Sequence, residues 1–207
     1  MPPLPAHVES AVGPESAGAL MTPEEFDEIA EYDENFTYEL IRGVLVVNPI
    51  PSPEETGPNE LLGHLLWDYQ QRDPRGSVVD ESLPQQYVRT ATGRRIADRL
   101  IWIGLNRLPD PRKDAAAIAV EFVSSGGRNR HRDYIEKKQE YRDAGIKEYW
   151  IFDRFRRTLT IVSYSAAEPA ESVISETESY ESPLVPGFVV PISRILASAD
   201  RRAERTQ

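Results

Sequence analysis

The feature that most constrains this chain is one acidic residue inside an apolar run. The stretch AAAIAVEFVSS covers residues 115–125, and before Ser124 every residue except Glu121 is apolar or small. Such a run is typical of a strand that is buried on both faces of a sheet. An unpaired carboxylate in that position costs several kcal/mol or must take up a proton. Glu121 therefore needs a cation, a metal ion, or a strand end that opens to solvent.

A second acid interrupts a neighbouring apolar segment in the same way. Asp98 lies within RIADRLIWIGL, which also reads as a strand. If the two strands pair, the two carboxylates can lie side by side, and they repel each other unless a cation neutralises them. Hard oxygen ligands suit Mg²⁺ or Mn²⁺. The alternative is that Asp98 pairs with Arg95 or Arg99 and Glu121 with another arginine.

The helix predicted after the Glu121 strand adds a third polar group. In HRDYIEKKQEYRDAG, the residues Asp133, Lys137 and Tyr141 recur every four positions and share one face with Tyr134. This is the packed face, where a lysine is less expected than on the side that faces water. Its ammonium could orient a water nucleophile or stabilise charge on a phosphate. The alternative is an intrahelical pair with Asp133, worth a few tenths of a kcal/mol.

Charge is distributed unevenly along the chain. The net charge is −10, yet residues 89–157 hold 17 Lys and Arg against 10 Asp and Glu. A basic central segment in an acidic protein could offer a face that binds phosphate. The alternative, equally weighted on charge alone, is that these arginines pair with neighbouring acids on a solvated surface.

The order of predicted elements indicates a mixed α/β fold. Residues 1–20 lack periodicity and predict a disordered tail, residues 21–198 predict one domain, and residues 199–207 predict a second tail. The domain begins with a helix capped by Thr22 and a β-hairpin. A loop over residues 51–58, a helix, several strands and one late helix follow. We expect a central mixed sheet flanked by helices.

Several of these segments together resemble a known family. The series YELIRGVLV, ADRLIWIG, VEFVSS, RDYIEKKQEYRDAGIKEYWIFD and PGF, from about residue 38 to residue 188, is similar to the Uma-type putative restriction endonucleases of the PD-(D/E)XK nuclease superfamily. The resemblance implies a restriction-endonuclease-like core in which Asp98 and Glu121 bind metal. Val123 stands where the superfamily carries a strand lysine, and Lys137 matches the helical position to which this family's lysine has moved.

Two departures from the family pattern are visible. Ala97 replaces the proline that usually precedes the aspartate, and GPNE stands where many members carry a histidine at the start of the early helix. The chain does carry His64 further along this helix. Neither departure removes a predicted metal ligand, but both are compatible with an altered substrate or with lost activity.

Further residues are candidates for supporting roles. Glu39 matches a family acid, and it is predicted, with Tyr87 and Asp133, as an accessory residue of the site. Arg130 and His131 are predicted to bind phosphate. The alternatives are an ion pair or strand-edge charge for Glu39, sheet packing for Tyr87, and a polar helix start for Arg130 and His131.

The predicted function is a Mg²⁺- or Mn²⁺-dependent endonuclease that hydrolyses DNA, with Asp98, Glu121 and Lys137 as catalytic residues. The alternative is a non-catalytic nuclease-fold module that binds nucleic acid or a protein partner; a purely structural ion network is a third reading. No apolar run of about 18 residues predicts a membrane span. The absence of cysteine and of a visible signal peptide favours the cytoplasm. A homodimer is compatible with the sequence.

Overall fold

The computed structural model describes residues 12–124, 132–166 and 168–203. Its contacts group the chain into two compact units. Unit 1 comprises Met1–Ile50 and Arg89–Ile96, and unit 2 comprises Pro51–Val88 and Ala97–Gln207. The sequence predicts one domain over residues 21–198, whereas the contacts divide this range between the two units.

Unit 1 is built on a short helix and a hairpin. Helix α1 (Pro23–Asp27) is followed by β1 (Phe36–Ile41) and β2 (Val44–Pro49), which pair antiparallel. The predicted cap is confirmed, because the side chain of Thr22 accepts the Glu25 N–H while the Glu25 carboxylate accepts the Thr22 N–H. The hairpin turns at Arg42 and Gly43, both at positive φ, as a tight turn between twisted strands requires.

The predicted N-terminal tail is partly ordered. Residues 1–11 lie outside the described part of the chain, but residues 12–20 pair with later segments of unit 1. The backbone of Val12 forms a parallel bridge with Tyr32, and Leu20 forms an antiparallel bridge with Val44. Residues 12–20 therefore take part in backbone pairing, whereas their composition predicts a disordered tail.

Unit 2 holds the larger part of the sheet. Strands β4 to β8 lie side by side in chain order, and β3 pairs with β4; the first residues of β4 and the last of β3 belong to unit 1. Only β5 and β6 are parallel, whereas β4 with β5, β6 with β7 and β7 with β8 are antiparallel. These strands are β3 (Val79–Thr90), β4 (Gly93–Ile103), β5 (Ile118–Phe122), β6 (Glu148–Asp153), β7 (Thr158–Ser163) and β8 (Ala170–Ser175).

Helices cover both faces of this sheet. One face packs on α2 (Pro53–Arg72) and the C-terminal helix, through a core that includes Ile101, Val120 and Trp150. The other face packs on α3 (Lys137–Asp143), which is preceded by a π-helical turn, Arg132–Glu136. Its core includes Trp102 and Tyr149. The remaining elements of the unit are a 3₁₀ turn, Gly76–Val78, a small two-stranded sheet of β9 (Tyr180–Glu181) and β10 (Val189–Val190), and α4 (Ile192–Ala203).

Two helix boundaries differ from the sequence prediction. Helix α2 begins at Pro53 inside the predicted loop, because Ser52 and Glu55 form a capping box. Helix α4 extends to Ala203, so the tail predicted from residue 199 is helical over its first part. No helix within the described residues is long and apolar enough to cross a membrane.

Candidate functional site

The site lies where strands β4 and β5 stop pairing. Their register joins Arg99 to Val120 and continues to Ile101 with Ile118. One further step along this antiparallel register places Asp98 opposite Glu121, with both side chains on the face that α3 covers. Strand β5 continues to pair with β6 beyond this point, so the β4 and β5 backbones separate next to two acids.

Asp98 is held from three sides. Its Oδ2 accepts the backbone N–H of Phe122 at 2.7 Å, and its Oδ1 accepts Nε2 of Gln85 at 3.1 Å. Its backbone carbonyl accepts Nδ2 of Asn59 on α2 at 2.6 Å. Polar groups of β3, β5 and α2 thus replace the ladder bonds lost where the strands separate, and they fix the position of a half-buried carboxylate.

The arginine nearest in sequence does not pair with Asp98. Arg99 points to the opposite face, where its guanidinium donates to Asn59 and Ser82. Burial lowers the pKa of Arg99, and the charge of Glu60 opposes this shift. The alternative in which Asp98 pairs with Arg99 is therefore not observed.

Glu121 meets a cation that the chain itself provides. Its Oε1 accepts from Nζ of Lys137 at 2.7 Å and from the hydroxyl of Tyr141 at 2.7 Å. The exposed fractions are 4% for Glu121, 2% for Lys137 and 0% for Tyr141. Lys137 thus has a partner on β5, whereas the side chain of Asp133, its partner in the intrahelical alternative, lies outside the described residues. Glu121, the acid inside the apolar run, therefore has a buried ammonium beside it within the protein.

Local structure explains why the helix presents these two groups. Lys137 and Tyr141 are four residues apart and share the face of α3 that packs on the sheet. The Tyr141 ring meets Tyr149 of β6 edge to face, with centroids 4.9 Å apart. Directly after β5, Val123 is buried, and its N–H donates to the carbonyl of Phe152 of β6. The ammonium therefore reaches Glu121 from the helix, with an apolar side chain at the alternate strand position.

The other predicted site residues lie in several places. Glu39 is buried in unit 1, where its carboxylate accepts from the Ile96 N–H and from Asn48. Tyr87 is half-buried on β3. The accessory roles of Glu39 and Tyr87 stay predictions. Arg130, His131 and the side chain of Asp133 lie outside the described residues.

The sequence prediction missed two residues that touch Asp98. Gln85 has φ of +50° inside β3, a conformation that is uncommon for a residue other than glycine and often accompanies functional sites. No sequence pattern indicates it. Asn59 lies in the GPNE stretch, so the departure from the family pattern was a signal that this position needed attention.

The donor set can be compared with what a divalent ion requires. No group of three or more His, Cys, Asp or Glu side chains within residues 12–124, 132–166 and 168–203 is placed to hold a metal. Mg²⁺ is commonly bound by one or two carboxylates together with waters and substrate phosphate. Asp98 and Glu121 on one sheet face fit that requirement, whereas the described residues offer no group of ligands for an ion bound by protein alone.

Known proteins resemble this chain in fold and in sequence family. A putative nuclease belonging to DUF820 from Anabaena variabilis has a crystal structure that superposes with a TM-score of 0.65 at 13% identity, covering 86% of this chain and 99% of that one. This likeness confirms the predicted fold class. No curated protein matches the chain. The family model described as Uma2, putative restriction endonuclease, matches residues 23–193. The chain therefore belongs to the Uma2 family.

Proposed function

We propose that this protein is a divalent-metal-dependent endonuclease that hydrolyses phosphodiester bonds in DNA. In this proposal Asp98 and Glu121 hold Mg²⁺ or Mn²⁺, and Lys137 assists the water nucleophile. The observation that carries it is the buried contact of Lys137 Nζ with Glu121 Oε1 at 2.7 Å. One step beyond the Arg99–Val120 pair, the β4–β5 register would bring Asp98 opposite Glu121. Membership of a family described as restriction endonucleases supports the nuclease class.

The chain's own residues divide the work between positioning and charge. Tyr141 and Lys137 both donate to Oε1 of Glu121, which fixes the orientation of this carboxylate. Phe122 N–H and Gln85 do the same for Asp98. Groups that are held in place before the substrate arrives need no reorganisation during the reaction.

The ammonium of Lys137 has two uses in this arrangement. It carries three donors, so it can bind Glu121 and also orient a water or a phosphoryl oxygen. Its positive charge favours the extra negative charge that develops on the phosphate during attack. A bound divalent ion would supply a water of lowered pKa and polarise the phosphoryl oxygen.

The test is Asp98→Asn, assayed by calorimetry with Mn²⁺ and by cleavage of plasmid and duplex DNA in Mg²⁺ or Mn²⁺. We expect cleavage to fall about 10³-fold, because an ion's charge stabilisation is worth several kcal/mol. Mn²⁺ affinity should fall with it. The control is Asp110→Asn, which removes a half-exposed carboxylate paired with Lys113 and should leave both measurements unchanged.

A second candidate function rests on the same ion pair. Because Lys137 already neutralises Glu121, the fold could be stable without metal and serve as a non-catalytic module that binds nucleic acid or a protein partner. Wild-type protein that neither binds Mn²⁺ nor cleaves DNA would support this function and contradict the first.

A further inference from the structure

The arginine turn, residues 154–157, joins β6 to β7 beside the candidate site. Asp153 and Thr158 pair across its base, so the loop is a four-residue hairpin connection. Asp153 is fully buried, and its Oδ1 accepts the N–H groups of Phe155 and Arg156 at 2.9 and 3.0 Å. These bonds hold the turn in one conformation at the carboxyl end of β6.

The turn lies close to Glu121 because β5 and β6 are parallel. Glu121 pairs in register with Ile151, so Arg154 follows three residues further along β6. Strand geometry then puts the two Cα atoms roughly 11 Å apart. This distance corresponds to the rise of about three nucleotides along one DNA strand, at roughly 3.4 Å of helix axis per nucleotide.

The helical segment around Tyr134 and Lys137 contacts both the arginine turn and Glu121. The hydroxyl of Tyr134 donates to Asp153 at 3.2 Å, and Lys137, one turn later, donates to Glu121. The helical segment that carries the catalytic lysine therefore also contacts the buried base of the arginine turn.

The charges of this turn are not neutralised equally. Arg157 bonds to Glu176 and Asp200. Arg156 is 58% exposed and lies 3.8 Å from Asp153, with its guanidinium 5.2 Å from the Tyr134 ring. Arg154 has no carboxylate partner among the described residues and stacks over Phe155 at 4.6 Å.

Several cations of the basic central segment, residues 89–157, do have such partners. The sequence left two alternatives for these cations: binding phosphate or pairing with neighbouring acids. For several of them the structure shows that carboxylates or buried hydrogen bonds already provide partners. These cations are Arg89, Arg94, Arg99, Arg107, Lys113 and Arg157.

We propose that Arg154 and Arg156 bind the phosphate backbone of DNA on the side of the candidate site formed by the β6–β7 turn. The inference rests on the proposed function and adds to it the path of the substrate strand. Arginine suits this role because its planar guanidinium can donate two parallel bonds to a phosphate. The Phe155 ring lies against the guanidinium of Arg154, and the backbone N–H bonds that Asp153 accepts hold the turn that carries both arginines.

The test uses the full chain and a fluorescent 20-base-pair duplex, with Ca²⁺ in place of Mg²⁺ so that binding is measured without cleavage. In the double variant Arg154→Ala/Arg156→Ala, we expect affinity to fall about tenfold at 100 mM salt. The salt dependence, as the slope of log K against log salt, should become shallower by roughly two, since each phosphate contact contributes about 0.9. Arg154→Lys/Arg156→Lys should retain most of that slope.

The matched control is Arg112→Ala/Lys147→Ala. Both are exposed cations without a carboxylate partner in the described part of the chain. They precede the amino ends of β5 and β6, at the edge of the sheet opposite the arginine turn. The control should bind within twofold of wild type, while hydrolysis of bis(p-nitrophenyl) phosphate and Mn²⁺ affinity stay unchanged in both double variants.

The outcomes separate this inference from the proposed function. Equal losses in the two double variants, or wild-type affinity in Arg154→Ala/Arg156→Ala, would overturn the inference even if the protein cleaves DNA. Absence of duplex binding by the wild type would overturn it as well. Binding that depends on the turn, in a protein that cleaves nothing, would support the inference and contradict the proposed catalytic activity.

Discussion

Two buried carboxylates on neighbouring strands are accommodated in different ways. Glu121 on β5 and Glu148 on β6 are 4% and 2% exposed, and they point to opposite faces of the sheet. Glu121 meets the ammonium of Lys137. Glu148 instead accepts three neutral donors at one oxygen: Trp150 Nε1 at 2.8 Å, the Ser182 hydroxyl at 2.8 Å and the Tyr180 hydroxyl at 3.2 Å.

The difference separates a structural carboxylate from a candidate catalytic one. The donors to Glu148 come from β6 and from a segment more than thirty residues later, so this acid ties the small sheet to the core. Two donors to Glu121, Lys137 and Tyr141, come from α3, and the β4–β5 register, extended by one step, brings Asp98 opposite it. Neutral donors suit a permanent fixture, whereas a cation beside two carboxylates suits a site where charge changes during a reaction.

The largest test of this comparison is Lys137→Met. The change removes the buried ammonium that Glu121 contacts, so we expect the free energy of unfolding to fall by about 3–5 kcal/mol. This is far more than the few tenths of a kcal/mol expected of an intrahelical pair. The double variant Lys137→Met/Glu121→Gln should recover most of the loss, because no net charge remains. Urea unfolding measures both.

The control for this prediction is Lys138→Ala. Lys138 pairs with Glu171, and both side chains are partly exposed, so its loss should cost less than about 1 kcal/mol. A Lys137→Met protein as stable as wild type would contradict the claim that Glu121 depends on a cation. It would also remove the contrast with Glu148.

A smaller loss is expected at the other carboxylate. Ser182→Ala removes one of three neutral donors to Glu148 and should cost about 1.5–3 kcal/mol, the range for a hydrogen bond to a charged group. Ser165→Ala, at an exposed serine, should stay within about 0.5 kcal/mol of wild type. DNA cleavage by folded Ser182→Ala should be unchanged; a loss of turnover would place Glu148 in the same functional class as Glu121.

The same contrast explains what the sequence could reveal. Glu121 was recognisable because one charge interrupts an apolar strand, and Lys137 because it lies on the packed face of a helix. Glu148 follows Lys147 at the polar start of its strand, so nothing marked it as buried. Its partners Tyr180 and Ser182 are set by tertiary structure, which periodicity does not report.

Backbone geometry accounts for the other differences. Gln85 reaches Asp98 from a left-handed conformation inside a strand, and no residue type encodes that. The fold class and the sheet flanked by helices were predictable, because apolar runs and capping boxes are local signals. The pairing of residues 12–20 with unit 1 was not, since their composition alone indicates disorder.

The smallest effect is a change in the pH dependence of stability. Burial, followed by the negative charge of Glu148, raises the pKa of Tyr180. In the unfolded chain a tyrosine ionises near pH 10. Above about pH 10 the unfolded state therefore loses this proton first, and the free energy of unfolding falls as pH rises towards the folded-state pKa. The contribution of Tyr180 to stability is fully present below about pH 10, the pKa of tyrosine in the unfolded chain.

Tyr180→Phe should make the alkaline decline shallower, by at most about 1.4 kcal/mol per pH unit. Because Tyr180 is only half-buried, we expect a smaller change, visible in urea unfolding between pH 9 and pH 11. Tyr180→Phe also removes a hydrogen bond, so the slope and not the absolute stability is the relevant measurement. Glu148→Gln should flatten the decline in part, since it removes the second cause of the raised pKa. An unchanged slope in Glu148→Gln would mean that Glu148 does not contribute to the raised pKa of Tyr180, and that burial alone causes it.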